Sequence, residues 1–297
     1  MVKFRKVAVL MGGISSERDV SLRSGAGIAQ GLIDAGCDVT SVVLDEESIE
    51  GRIPAGTEAV FIALHGGYGE NGKVQADLNR LGIPYTGPGA KASAIAIDKV
   101  ATKKEFIKAG IPTPAYQILE AGEAKTSLKF PLAVKPPRDG SSVGLTCPCY
   151  PEEWEKALET ARKIDERVLV EEYIPGREWT ASVVAGEALP IIEIAPNCGV
   201  YDYASKYTKG ATVYTPLDDT PLTLKCKALA LKACEAIGAR GLSRVDFRVT
   251  EAGECYALEV NTVPGFTATS LVPKAAAKAG LSFSETCVKI LNLARVD

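Results

Sequence analysis

Two stretches of this sequence carry side chains whose types and spacing suit phosphate chemistry. In Arg244-Val245-Asp246-Phe247-Arg248-Val249 charged and apolar residues alternate, and Cys255-Tyr256-Ala257-Leu258-Glu259-Val260-Asn261 alternates again after the turn Glu251-Ala252-Gly253-Glu254. A period of two places Arg244, Asp246 and Arg248 on one face of a strand. It likewise places Cys255, Ala257, Glu259 and Asn261 on one face of a hairpin partner, opposite Tyr256, Leu258 and Val260. If the charged faces coincide, Asp246, Glu259 and Asn261 converge, and their hard oxygens suit magnesium that also binds phosphate. The spacing alone fits a solvated polar face equally well. The second stretch ends an apolar run with a lysine, Pro131-Leu132-Ala133-Val134-Lys135, followed by Arg138-Asp139-Gly140-Ser141-Ser142-Val143-Gly144. Backbone N–H groups in such a small-residue loop can approach an anion. Lys99 and Lys206 are further cations; an isolated lysine is usually a surface residue, but Lys135 has an apolar flank.

The composition removes other chemistries. The chain of 297 residues balances 34 Lys plus Arg against 37 Asp plus Glu, with one histidine. No basic excess marks a nucleic-acid surface. A lone His65 excludes a His-rich zinc site and any mechanism that needs two histidines. Cys147 and Cys149 are spaced C-x-C, and the other six of the eight cysteines are scattered singly. With no signal-like N-terminus, they read as structural, buried thiols rather than disulfides or a zinc knuckle. Apolar stretches are too short to span a membrane, so no membrane partner is expected. There is neither a G-x-x-x-x-G-K-[ST] run nor a G-x-G-x-x-G fingerprint, only Gly12-Gly13-Ile14-Ser15-Ser16-Glu17.

The elements that must position these groups alternate. Strands are expected over Lys6–Met11, Val39–Leu44 and Ala59–Leu64, with helices over about Val20–Ala35 and a stretch closed by Leu78–Leu81. That alternation implies a parallel sheet with its ligands at the carboxyl ends of the strands. One helix is expected over Lys91–Gly110, ended by glycine and prolines. Strands at 131–136 and 168–173 flank a helix over about Glu152–Lys163. Strands are expected from Glu178 to Ile194, a polar loop over about 197–215, a helix over Leu222–Ile237 and a last helix over Phe283–Ala294.

Taken in order, these segments resemble the ATP-grasp enzymes, and within them the D-alanine–D-alanine ligases. The resemblance runs along almost the whole chain. It is carried by Gly12-Gly13-Ile14-Ser15-Ser16-Glu17-Arg18-Asp19-Val20-Ser21, Ala63-Leu64-His65-Gly66, Tyr85-Thr86-Gly87, Asp98-Lys99, Val134-Lys135-Pro136, and Gly140 to Gly144. It continues through Tyr201-Asp202-Tyr203, Lys206-Tyr207, Arg244-Val245-Asp246, Leu258 to Gly265, and Ser270-Leu271-Val272-Pro273. It implies an α/β fold, α+β in the ATP-grasp part, in three domains: an N-terminal parallel-sheet domain (1–95), a central domain (96–174) and a C-terminal domain (175–297). It implies ATP, two Mg2+ (or Mn2+) and two D-alanines as ligands, a cytoplasmic homodimer, and peptidoglycan synthesis.

The same resemblance assigns residues. Lys99, Lys135 and Lys206 would hold ATP phosphates, Glu171 and the backbone of Ile174 the adenine, and Glu178 the ribose. Asp246, Glu259 and Asn261 would bind the metals. Arg244 and the Gly265 N–H would stabilise the oxyanion. Glu17 would meet the first D-alanine's ammonium, with Ser141 and Tyr207 bonded to it as a latch; its alternative is a helix N-terminal acid. Ser270 and Leu271 would seat the second carboxylate, and His65 would lie near the substrates. D-lactate-using relatives lack the tyrosine at position 207 and tend to carry a histidine nearby, whereas 202–210 contains none. An amine acceptor is therefore expected over D-lactate. Pro137 and Phe266 depart from the common pattern of serine and methionine. Two other classes remain in view: a non-catalytic nucleotide-binding module, which would not need oxyanion donors, and a dehydrogenase, which lacks its fingerprint.

Overall fold

The structure, a computed structural model, describes residues 1–196 and 210–297. Lys206, Tyr207 and the segment Tyr201-Asp202-Tyr203 lie outside the described residues. The first sheet is parallel in the order β2-β1-β3, from β1 (Lys6–Gly12), β2 (Asp38–Leu44) and β3 (Ala59–Ile62). β1 is central and nearly all buried, which explains its unbroken apolar run. Gly12 ends it at φ 88°, where a Cβ would stand 2.7 Å from the Leu44 carbonyl oxygen, so the turn toward the next helix needs glycine. Helix α1 (Arg18–Asp34) leads to β2, and α2 (Gly67–Glu70) and α3 (Lys73–Leu81) follow β3.

The single helix expected over 91–110 is two helices, α4 (Ala90–Ile97) and α5 (Lys99–Lys108). Between them Asp98 is extended, and its carboxylate accepts the backbone N–H groups of Val100 and Ala101. Such a cap contributes about 1 kcal/mol, enough to favour a fresh start over a continuous helix. The break makes Lys99 the first residue of α5.

The second sheet is antiparallel in the order β4-β6-β5, built from β4 (Tyr116–Leu119), β5 (Leu132–Lys135) and β6 (Val168–Glu172). Leu132, Val134, Val168 and Val170 pack on α6 (Trp154–Arg162) through Ala157, Leu158 and Ala161. Strand alternation therefore turns Ala133, Lys135 and Glu171 to the opposite face, where they line a cleft. α6 begins two residues later than expected, after a 3-10 turn at Pro151–Glu153.

The third sheet runs β10-β9-β7-β11-β12, with β8 paired to β7. Its strands are β7 (Arg177–Val184), β8 (Glu187–Ala188), β9 (Ile192–Pro196), β10 (Thr212–Pro216), β11 (Leu242–Val249) and β12 (Cys255–Asn261). β10 falls within the stretch expected to be loop. Helix α7 (Pro221–Ile237) packs Cys226, Ala230, Ala233 and Ile237 against Val245, Phe247 and Val249. Helices α8 (Leu271–Lys278) and α9 (Phe283–Leu291) return to the first sheet, where Val272, Ala275, Ile290 and Leu291 share a core with Val9, Ile28 and Leu32. No described helix is long and apolar enough to cross a membrane.

The hairpin differs from strict alternation at one point. Asp246 pairs with Glu259 and Phe247 with Ala257, so Leu258 is an unpaired bulge residue. Cys255 and Ala257 consequently join Val260 in the core beneath α7, while Leu258 and Glu259, adjacent in sequence, both line the cleft. The expected common face of Cys255, Ala257, Glu259 and Asn261 is therefore split by the bulge.

Candidate functional site

The open face of the second sheet and the polar face of β11 and β12 line an open cleft. Lys99, Lys135, Ser141, Glu171, Ile174, Glu178, Asp246 and Glu259 all line it. Asp246 accepts four hydrogen bonds. Arg244, two positions away on the same strand face, donates Nε to Oδ1 at 2.9 Å and Nη2 to Oδ2 at 2.7 Å. Thr180 donates to Oδ1 at 2.5 Å from the neighbouring strand β7, and Asn261 Nδ2 donates to Oδ2 at 3.0 Å. Cross-strand pairing sets Glu259 opposite Asp246 and Asn261 opposite Arg244. Lys99 reaches in from the start of α5, with Nζ 3.1 Å from Glu259 Oε2 and donating to the Asp139 carbonyl at 2.6 Å. Two carboxylates and a carboxamide oxygen, gathered beside lysines, suit Mg2+ or Mn2+ accompanied by phosphate oxygens.

At the other end of the cleft, Glu171 is buried between two lysines. Lys103 Nζ is 2.5 Å from Oε1, and Lys135 pairs with Oε2. Burial opposes ionisation of Glu171, but the two ammonium groups outweigh it and hold the carboxyl below the ordinary range. Burial pulls the Lys103 ammonium below its usual value against the attraction of Glu171. Burial also opposes the charge on Lys135, and there Glu171 outweighs it, so that value rises.

The loop after β5 approaches the N-terminal sheet. Ser141 and Ser142 adopt φ of 53° and 56°, the left-handed region that costs a non-glycine residue about 1 kcal/mol or more. In this conformation Ser141 Oγ donates to Glu17 Oε1 at 2.5 Å, across 124 residues of sequence. Glu17 occupies the N-cap position of α1, yet its carboxylate makes no capping bond there. Ser270 is the N-cap residue of α8, its Oγ accepting the Thr267 N–H at 3.0 Å, and Leu271 is the first helical residue. A Cβ on Gly265 would stand 3.3 Å from Ser270 Oγ, so a side chain there would crowd that terminus.

His65 turns inward. Nδ1 lies 2.9 Å from the Val263 carbonyl oxygen, which can only accept, so Nδ1 carries the hydrogen. Ser24 Oγ accepts the Phe266 N–H at 3.1 Å and stands 3.2 Å from Nε2, placed to donate its proton there. The ring thus ties the end of β3 to α1 and to the backbone on both sides of Gly265. His65→Ala should lower unfolding free energy by roughly 1–3 kcal/mol, because it leaves buried partners unsatisfied. Denaturant midpoints of the two proteins check this; an unchanged midpoint would remove the tie.

The sequence profile described as "D-ala D-ala ligase C-terminus" matches residues 104–292. The chain belongs to the D-alanine–D-alanine ligase family. It is 46% identical over 291 residues to a D-alanine–D-alanine ligase of Syntrophotalea carbinolica, covering 97% of this chain and 95% of that one. It is 44% identical to D-alanine–D-alanine ligase B of Chromobacterium violaceum, covering both chains fully. Among solved structures, it matches the Bacillus anthracis D-alanine–D-alanine ligase complexed with ATP at TM-score 0.85 and 32% identity, over 96% of each chain. It matches the VanG D-Ala:D-Ser ligase of Enterococcus faecalis at TM-score 0.86 and 28% identity, over 98% of this chain and 99% of that one. The fold is that of the ATP-grasp ligases with an N-terminal parallel sheet.

Some groups in or behind this family member's cleft were given no role from sequence. Lys103 was readable, since it lies one helical turn from Lys99 on α5. Arg248 shares the strand face of Asp246 and clamps the connection between β6 and β7. It donates Nε to the Ile174 carbonyl at 3.0 Å and Nη2 to the Gly176 carbonyl at 2.8 Å, with Nη1 3.6 Å from Glu178. Thr180 had no signal before the β7–β11 register was known. The described cysteines are free thiols; Cys37, Cys226, Cys234, Cys255 and Cys287 are buried, but Cys149 is exposed and Cys147 partly so. Burial thus fails at the C-x-C pair, because that segment leaves the second sheet along the cleft rim; Cys198 lies outside the described residues.

Proposed function

We propose that this protein joins two D-alanines, with cleavage of ATP to ADP and phosphate, into D-alanyl-D-alanine for peptidoglycan synthesis. The observation that carries the reading is the convergence of Asp246 and Glu259 with Lys99, Lys135 and Glu171 in one cleft, with Arg244 and Asn261 bonded to Asp246. Mere nucleotide binding would not need an arginine fixed beside the acidic pair.

In this reading Glu171 accepts from the adenine amino group, the backbone of Ile174 meets the ring, and Glu178 meets the ribose. Lys99, Lys135 and Lys206 neutralise phosphate oxygens. Asp246, Glu259 and Asn261 hold two Mg2+ (or Mn2+), which supply further charge neutralisation at the phosphates. Glu17 pairs with the ammonium of the first D-alanine, while Ser141 and Tyr207 hold Glu17 and close over the site.

The first D-alanine's carboxylate oxygen attacks the γ-phosphorus. The bond from that phosphorus to the β–γ bridging oxygen breaks, and ADP leaves. Positioning and electrostatics supply most of the catalysis in such a transfer. The free amine of the second D-alanine, its carboxylate at Ser270 and the Leu271 N–H, attacks the acyl carbon of D-alanyl phosphate. Arg244 and the Gly265 N–H stabilise the oxyanion. Phosphate then departs and the new amide loses a proton. His65 serves by holding the Gly265 backbone. The domain division at about residues 95 and 175, a homodimer and a cytoplasmic location belong to the same proposal.

Incubating the protein with ATP, Mg2+ and D-alanine should release one phosphate per dipeptide formed. Phosphate without dipeptide would reassign it as a kinase or ATPase. D-Serine and D-lactate in competition test the acceptor. The D-Ala:D-Ser neighbour is 28% identical, whereas relatives at 43–46% are named D-alanine–D-alanine ligases, which favours D-alanine.

A further inference from the structure

We infer that Lys103 is a positioning residue for nucleobase selection: it is the fixed counter-ion that keeps Glu171 ionised and aimed at an exocyclic amino group after Lys135 has turned to the phosphates. The inference rests on the nucleotide part of the reading above and extends it to a residue that does not line the cleft.

The two lysines beside Glu171 are not equivalent. Lys103 is fully buried at 0% exposure, and its ammonium is held from several sides. Besides the contact to Glu171 at 2.5 Å, Nζ donates to Thr113 Oγ1 at 2.6 Å and to the Pro114 carbonyl at 3.3 Å. The Tyr116 ring, directly across the strand pair from Glu171, lies 5.3 Å from Nζ and adds a cation–π contact. One ion pair, two hydrogen bonds and a ring face leave this ammonium no other place to go. Lys135, by contrast, lines the cleft at the end of β5, pairs with Glu171 from the open side, and lies within the field of Glu259. A triphosphate bound along the cleft offers Lys135 a stronger partner.

When Lys135 changes partner, Glu171 would be a buried carboxylate with no cation were Lys103 absent. A buried unpaired carboxylate takes up a proton or recaptures the nearest ammonium. Either response removes the acceptor that distinguishes an amino-bearing purine from one lacking the group. With Lys103 on Oε1, the other oxygen remains an ionised acceptor facing the cleft.

The test compares equilibrium binding of ATP and purine riboside 5′-triphosphate, which has hydrogen in place of the amino group, by calorimetry without D-alanine. The unmodified protein should prefer ATP by about tenfold to a hundredfold, the range for a hydrogen bond to a charged acceptor. Lys103→Met should narrow that preference to about threefold or less. In a Glu171→Gln background, Lys103→Met should change the ratio no further, since Lys103 acts through Glu171. Thr113→Val keeps the lysine but loosens it, and should narrow the ratio partially. Equal weakening of both triphosphates in Lys103→Met, with the ratio intact, would make Lys103 a fold residue only and overturn the inference. Should Lys103→Met prove too unstable to purify, an unchanged ratio in Thr113→Val overturns it equally. Because no dipeptide formation enters the readout, a protein that proves not to be a ligase can still pass or fail this test.

Discussion

Arg244→Ala is expected to lower kcat for dipeptide formation by roughly 10²–10³, the loss typical when one oxyanion donor is removed. The dissociation constant for ATP should stay within about threefold, because Arg244 lies at the acidic end of the cleft and not beside Glu171. The geometry adds a second expectation of opposite sign. A carboxylate offers about four lone-pair positions, and at Asp246 Arg244 occupies two, with Thr180 and Asn261 on the others. Removing the guanidinium vacates two positions and deletes a positive charge beside the cation ligands. Half-saturating Mg2+ should therefore fall while turnover collapses. Steady-state kinetics across Mg2+ concentration, with ATP binding measured separately, reads both. A parallel loss of ATP affinity and thermal stability would instead describe an arginine that serves only the fold.

Glu259→Gln should act in the reverse sense on the same site. Glu259 faces Asp246 across the strand pair and sits 3.1 Å from the Lys99 ammonium. The neutral isostere keeps the shape, removes one cation ligand charge and takes from Lys99 its charged partner. Half-saturating Mg2+ should rise by at least about tenfold to a hundredfold, as for disrupted metal shells generally. At fixed Mg2+ the turnover should fall by about 10³, several kcal/mol of transition-state charge stabilisation. Raising Mg2+ should recover part of that loss. Recovery of full activity would show that Glu259 contributes affinity alone, and an unchanged Mg2+ profile would take Glu259 out of the cation set. The opposite movement of Mg2+ dependence in the two variants separates their roles better than either rate does.

What sequence could reveal depended on the range of the determining interactions. Arg244, Asp246 and Arg248 share the expected face because strand alternation is local. The break at Asp98 was hidden, since a helix former on each side outweighed one capping residue in a periodic reading. Glu17 and Ser141 meet across 124 residues; nothing local in either segment announces that partner, and only the family resemblance suggests it. For His65 the resemblance suggests a place near the substrates; the ring's contacts are to Ser24 and Val263, with Glu70 3.8 Å from Nδ1. Lys103 carried a readable signal, one turn from Lys99, but its meaning depends on Glu171 lying beneath it. Tyr207 and Lys206 lie outside the described residues, so their contribution stays with the proposal.

The bulge at Leu258 also governs how this hairpin can change length. Without Leu258 the remaining residues of β12 alternate regularly, with Cys255, Ala257 and Val260 inward and Tyr256, Glu259 and Asn261 toward the cleft. Deleting Leu258 therefore keeps every other residue on its present side and costs the cleft one apolar wall. Deleting Val260 instead turns Asn261 toward α7 or, if the bulge takes up the change, turns Glu259 there, driving a carboxamide or carboxylate into the core. Among homologous chains, single-residue length differences should accordingly collect at the turn over 250–254 or at the bulge, and be absent from the paired positions between Glu259 and Asn261.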